Sequence, residues 1–309
     1  MSLATATATG MASTKRIAVV TGGNKGIGFE ICRQLASNGI SVVLTARDVK
    51  RGIEAVEKLN SSGLVDVAFH QLDVADAASS ASLASFIKTN YGKLDILVNN
   101  AGVVGAEYNI QEPGTTIDLD MDESEIASSP ILKEIVKQTY ESAENCLRTN
   151  YYGSKQVTKT LIPLLQQSNS ARIVNVSSSL GQLKILQNEG AKRVLGDIDN
   201  LTEEKIDKVV EEFLGDVKEN LVERKDWPTN YSAYIVSKAA LNAFARILAR
   251  QYPRILMNSV HPGYVSTDAN YNTGPLTVEE GSKGAVMLAL MHDGGPSGLF
   301  FYEMEVSSF

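Results

Sequence analysis

Tyr234 and Lys238 stand four residues apart in the run Tyr231-Ser-Ala-Tyr-Ile-Val-Ser-Lys238. In a helix that step puts both side chains on one face. An ammonium beside a phenol favours the phenolate, so the tyrosine pKa is expected to fall toward the range where a phenol works as a general acid or base. A serine run, Ser177-Ser178-Ser179, lies upstream, and a glycine-rich turn, Thr21-Gly-Gly-Asn-Lys-Gly-Ile-Gly28, lies near the start. Each piece alone is weak. In this order they suit the movement of hydride between a nicotinamide and a carbonyl.

The elements that must carry these residues are legible as short β-branched runs alternating with helical patterns. Residues 16–21, 41–45, 66–72, 94–99, 172–176, 255–260 and 298–301 read as seven strands. Continuous apolar strands separated by helices predict a parallel sheet covered on both faces, a doubly wound α/β fold of order 3-2-1-4-5-6-7. Ligands of such sheets sit at the carboxyl ends of the strands.

The glycine turn follows the first strand and opens a helix over residues 26–38, the context in which such a turn binds a pyrophosphate. Gly22 would allow the tight turn. Gly26 and Gly28 would let backbone and phosphate approach at the helix N-terminus, with Asn24, Lys25 and Ile27 completing the loop. The second strand ends at Ala46-Arg47, where an NAD site would want an acid; arginine suits a 2′-phosphate, and Lys25 could add a second cation. The expected cofactor is therefore NADPH, although Asp48 follows directly. Asp73, with Val74, follows the third strand and could accept from an adenine amino group, or merely cap the next helix, over residues 75–91. Asn99-Asn100-Ala101-Gly102 closes the fourth strand with small residues past which a cofactor could run.

The bulk properties are those of an ordinary globular chain. It has 309 residues, 43% hydrophobic and 21% charged, with net charge −7 and no basic stretch longer than Lys15-Arg16, which argues against a nucleic-acid partner. No apolar run approaches the roughly 20 residues that span a bilayer. Cys32 and Cys146 fall in helical segments and read as packed, reduced thiols. His70, His261 and His292 have no ligand spacing, so no metal site is expected. Residues 1–14 are Ala/Thr/Ser-rich without a signal-peptide core and read as a flexible extension, leaving residues 15–309 as one domain and the cytoplasm as the default compartment.

Two stretches break the alternation. Residues 105–129 are polar and acidic, with Asp118, Asp120, Asp122 and Glu123 close together, and read as a solvated loop. Residues 190–228 read as an insertion holding an amphipathic helix. It starts with a capping-box-like Thr202 and carries the stripe Ile206, Val209, Val210, Phe213, Val217 and Leu221, which needs a surface to pack on. Trp227, Tyr264 and Tyr271 are candidates for an apolar substrate pocket, though aromatic residues more often serve packing.

Thr21–Gly28, Asn99–Gly102, Asn150, Asn175-Val-Ser-Ser178, Tyr234–Lys238 and Pro262-Gly-Tyr-Val-Ser-Thr267 together resemble the successive signatures of the short-chain dehydrogenase/reductase family across residues 15–309. The wording of residues 69–74, 92–102 and 173–179 is similar to the plant branch that includes salutaridine reductase and the menthone reductases, which also carries a long insertion before the tyrosine. The resemblance implies a Rossmann-type fold with Tyr234 as acid/base and Lys238 lowering its pKa and binding the nicotinamide ribose. It implies Ser178 as the substrate-orienting hydroxyl, within a serine run whose register is the least defined. Asn150 would kink its helix and hold a relay water. Thr267 would meet the nicotinamide carboxamide or diphosphate, and Pro262, Gly263 and Val265 belong to the same cofactor-side run. The insertion interrupts a region through which many members dimerise, implying a monomer whose pocket is covered and whose substrate is a medium-sized, mostly apolar ketone such as a terpenoid or alkaloid. The alternatives are reduction of an imine or an enone C=C on the same fold, and a non-catalytic sensor of NADP(H).

Overall fold

The structure is a computed structural model, and it describes residues 15–108 and 122–309. The strands are β1 (Ile17–Val20), β2 (Ser41–Ala46), β3 (Val67–Gln71), β4 (Ile96–Asn99), β5 (Glu107–Tyr108), β6 (Val136–Lys137), β7 (Ala171–Val176), β8 (Ile255–His261), β9 (Phe300–Tyr302) and β10 (Glu305–Ser307). The helices are α1 (Gly26–Ser37), α2 (Val49–Ser61), α3 (Ala77–Tyr91), α4 (Glu123–Ser128), α5 (Pro130–Ile135), α6 (Tyr140–Leu147), α7 (Ser154–Leu165), α8 (Glu189–Gly196), α9 (Glu203–Lys218), α10 (Ser232–Gln251) and α11 (Val278–Leu290).

The main sheet runs β3-β2-β1-β4-β7-β8-β9-β10. All its pairings are parallel except the last, where β10 turns back on β9. This is the expected order with one added strand. Alternate residues of a strand feed opposite cores: Ile17 and Val19 of β1 join one cluster, with side chains of α3, α6, α7, α9 and α10, while Ala18 and Val20 join the other, with α1, α2 and α11. A strand covered twice has no polar face to show, which is why β1 and β4 read as unbroken apolar runs.

The acidic stretch expected to be a solvated loop is partly regular. β5 pairs with β6, and Asp122 caps α4 in a capping box with Glu125. Asp118 and Asp120 lie outside the described residues. The reason for order is tertiary: Asn230 donates its side-chain amide to the carbonyls of Ile126 and Ser129. Gln138 meanwhile accepts from Ala233 N and donates to Ser232 Oγ. The segment thus caps and anchors the start of α10.

The insertion holds α8 and α9. Thr202 caps α9 through Lys205 N, but the third position is a lysine, so the reciprocal half of a capping box is missing. Ile206, Val209, Val210 and Phe213 are buried against α10 and α6, with Val217 and Leu221 half-buried. Charges fasten the helix at its side: Asp207 accepts from Tyr151 Oη at 2.8 Å and from Lys155 Nζ at 2.7 Å, and Glu203 pairs with Lys159 at 2.9 Å. Trp227 is spent here rather than on a pocket. Its ring meets Phe213 at 5.1 Å edge-on and its indole N–H donates to Asp216.

Phe213 is fully buried at the centre of this contact. Truncating such a ring costs about 3–5 kcal/mol, and a carboxylate there costs more because it has no partner. Phe213→Asp should therefore lower the thermal midpoint by several degrees and make the chain self-associate in light scattering. An unchanged melting curve would show that α9 is not packed as described.

Candidate active site

The carboxyl ends of β1, β4, β7 and β8 meet α10 and the N-terminus of α1, and every signature except the strand-two arginine converges there. The glycine turn is held by a residue the motif reading passed over. Thr21 Oγ1 accepts the amides of Asn100 and Ala101, each at 2.9 Å, while Asn100 Nδ2 donates back to the carbonyls of Thr21 and Gly22. The only signal was a hydroxyl at the strand end. Gly22 has φ +64°, and a Cβ on Gly28 would stand 2.3 Å from Asn100 Nδ2 and 2.4 Å from Gly22 O, so the turn closes only with glycine at both.

α1 starts at Gly26 with no acidic residue in its first turn and no side-chain cap from Lys25. Its first-turn amides and dipole therefore face the groove with a positive field. Arg47 is exposed at the end of β2. Asp48, the reason for hesitation over cofactor choice, is used as the cap of α2, accepting from Arg51 N at 2.9 Å. Arg51 adds a cation that the motif reading did not single out. Lys25 is not unengaged: its ammonium pairs with Asp268 at 2.8 Å. Asp73 does not cap the following helix. Asp76 caps α3, which begins two residues later than expected, and Asp73 closes a local turn onto Ala75 N. Val74 packs against Gly153, where a Cβ would come within 2.8 Å of its methyl.

On the far side, Gly263 (φ +82°) turns the chain after β8, and Val265 is buried and bridged to Leu276. Thr267 reaches back over the glycine turn, its methyl 3.7 Å from where a Cβ on Gly26 would lie. A Cβ on the exposed Gly102 would lie 3.2 Å from Asn150 Oδ1 and 3.6 Å from Lys238 Nζ. These residues fit an elongated anionic nucleotide: small residues along the floor, N–H groups at the helix end, cations at the strand-two end, and a lysine at the inner end.

Tyr234 and Lys238 share a face of α10, with the ammonium 5.5 Å from the phenol ring centroid. Lys238 is 4% exposed and donates to Val176 O at 2.8 Å; burial lowers its pKa to about 8. The Tyr234 pKa moves opposite to the sequence argument: burial of the phenol pushes it up to about 12, and only the hydrogen bond with Ser178 pulls it down. Desolvation dominates at the phenol, while the neighbouring ammonium is turned to the β7 carbonyl. Ser178 is the member of the serine run that acts on the phenol. Burial also pushes the thiol of Cys146 up to about 12, and both cysteines are free and buried inside helices.

Asn150 sits in a π-helical turn, Arg148–Gly153, between α6 and α7. Its side chain accepts from Val103 N at 2.8 Å and donates to Val103 O at 2.9 Å and Ser237 Oγ at 3.0 Å. Ser237 in turn donates to Tyr234 O at 2.7 Å. The asparagine therefore ties three segments together beneath the phenol. Of the aromatic pocket candidates, Tyr264 is half-buried and bonded to Thr273, and Tyr271 is 63% exposed. Among the described residues no helix is long and apolar enough to cross a membrane, and no His/Cys/Asp/Glu group has metal-site geometry.

Comparison with known proteins agrees with this geometry. The family described as short chain dehydrogenase matches residues 16–190, and the one described as enoyl-(acyl carrier protein) reductase matches residues 220–288. Salutaridine reductase of Papaver bracteatum is 54% identical over 299 residues, covering 95% of this chain and 96% of that protein. The (+)-neomenthol dehydrogenase of Capsicum annuum is 52% identical, with 96% and 98% covered. The solved structure of salutaridine reductase from Papaver somniferum superposes with a TM-score of 0.87 at 56% identity, covering 94% of this chain and all of that one. With turn, serine, tyrosine and lysine in their places on a sheet of this order, the chain belongs to the short-chain dehydrogenase/reductase family.

Proposed function

We propose that the protein reduces a ketone to an alcohol with NADPH, on a medium-sized and mostly apolar substrate of the terpenoid or alkaloid kind. What supports this reading is Tyr234 beside the buried Lys238 on one face of α10, with Ser178 near enough to the phenol to pull its pKa down. Two hydroxyls converging on one point are what a carbonyl oxygen needs: Ser178 orients it, and Tyr234 gives it a proton as negative charge develops. A phenol whose pKa lies well above neutral holds its proton until that charge appears. A dihydronicotinamide bound along the groove supplies the hydride. The Lys238 ammonium stabilises the phenolate left behind, and a water held at the π-helical turn of Asn150 would return the proton.

Lys25, Arg47 and Arg51 favour the 2′-phosphate form of the cofactor, since the one nearby acid on that strand end is committed to capping α2. The substrate class rests on relatives named for salutaridine, an alkaloid, and neomenthol, a terpenoid alcohol. A stripe spent inside the chain by α9 leaves α6 and α10 covered, which favours a monomer.

Tyr234→Phe removes only the phenol oxygen and its proton. It should fold and bind NADPH, and lose about 10²–10⁴-fold in kcat for ketone reduction. Activity within a factor of two of wild type would end the assignment. Arg47→Asp should shift the ratio of kcat/KM for NADPH over NADH toward NADH by tenfold or more, roughly the worth of one charge-assisted contact. An unchanged ratio would make Arg47 a bystander on the surface.

A further inference from the structure

Across the mouth of the cofactor groove the glycine turn and the segment after β8 are joined by one ion pair. Lys25 Nζ stands 2.8 Å from Asp268 Oδ2, with the two side chains 59% and 67% exposed. Exposed pairs of this kind contribute little to stability. The segment does not need it either. Asn270 Oδ1 accepts from Thr267 N, Asn270 Nδ2 donates to Val265 O, and Ser266 N donates to Leu276 O. Asp268 is thus free to be chosen for its charge.

That charge lies where it matters for the cofactor. Lys25 and Arg51 together draw the Asp268 carboxyl below its usual range, which puts the carboxylate in the field of both cations. An incoming phosphate monoester carries close to two negative charges. It meets a lysine already holding an anion, and the anion itself repels it.

We propose that Asp268 is a specificity-determining residue. It occupies Lys25 in the free enzyme and competes with the 2′-phosphate of the dinucleotide, holding the preference for NADP(H) below what the cations alone would give. This rests on the NADPH reading above. The carboxylate acts as an internal stand-in for the phosphate, so that bound cofactor is exchanged for a contact within the chain when it leaves.

Calorimetric titration of NADP+ and NAD+ into wild type, Asp268→Asn, Lys25→Met and the double variant tests this without turnover. Asp268→Asn should tighten NADP+ by about three- to tenfold at low salt, change NAD+ by less than about twofold, and lose most of its gain at high salt, as expected for an exposed and screened charge. In the Lys25→Met background the gain should largely vanish, because the two residues act on one another. Weaker or unchanged NADP+ binding, an equal gain for NAD+, or a full gain without Lys25 would each overturn the proposal. Wild type binding NAD+ as tightly as NADP+ would remove the NADPH reading and this inference with it. A wild-type preference for NADP+ that the variants leave untouched removes the inference alone.

Discussion

An ammonium group buried with no carboxylate beside it among the described residues is the constraint around which this molecule is arranged. Lys238 is 4% exposed, and its hydrogen-bond acceptor is the carbonyl of Val176 at the end of β7. Burying a charge is unfavourable unless its surroundings compensate, and the fall of its pKa to about 8 measures how incompletely they do so. A fold tolerates such a group when the position is fixed from several sides. α10 is buried along most of its length. Its start is tied to the segment before α6, where Asn230 bonds the carbonyls of Ile126 and Ser129 and Gln138 accepts from Ala233 N; Ser237 is bonded to Asn150, and α9 covers its outer face. Freed from any one of these, the lysine would reach water, and its influence on the phenol would be screened.

The insertion packs on the helices that carry the site. Its apolar stripe supplies burial to the helix that carries Tyr234 and Lys238, and its acidic side, Glu203 and Asp207, fixes Lys155 and Tyr151. Tyr151 is the neighbour of Asn150 in the π-helical turn. The site and the insertion share their foundations, and on this account changes to α9 are felt as changes in the alignment of the phenol.

The sheet was legible because double coverage leaves an unmistakable pattern: β1 and β2 are apolar, β-branched and short, and each is followed at the expected interval by a helix. The reading missed β10, whose three residues have no apolar signature because one side faces solvent. The order in residues 122–137 was illegible for a different reason, as it depends on Asn230 and Gln138, distant in sequence from the carbonyls and amides they satisfy. At the site, the structure brings the glycine turn and the tyrosine–lysine pair to the carboxyl ends of the strands, and Ser178 is the serine of the run that acts on the phenol. What motifs could not give was the balance of energies. Spacing alone put an ammonium beside a phenol and made the phenol more acidic, whereas desolvation acts in three dimensions and reverses the sign. Likewise Asp48 and Asp268 are both acids near the cofactor groove, and only their partners, a helix amide and Lys25, show that one is structural and the other faces the cofactor side.

The central claim is that the buried Lys238 charge sustains proton donation by Tyr234. A group whose pKa is lowered keeps its charge below that value and loses it as pH rises through it, so the support is present at neutral pH and withdrawn above about 8. The direct measurement is kcat/KM for ketone reduction from about pH 6 to about pH 10, in wild type and in Lys238→Met. The account predicts an alkaline decline in wild type with an apparent pKa near 8, and a low profile without that decline in the variant. A wild-type profile that stays flat to about pH 10, or an identical decline in both proteins, would contradict it.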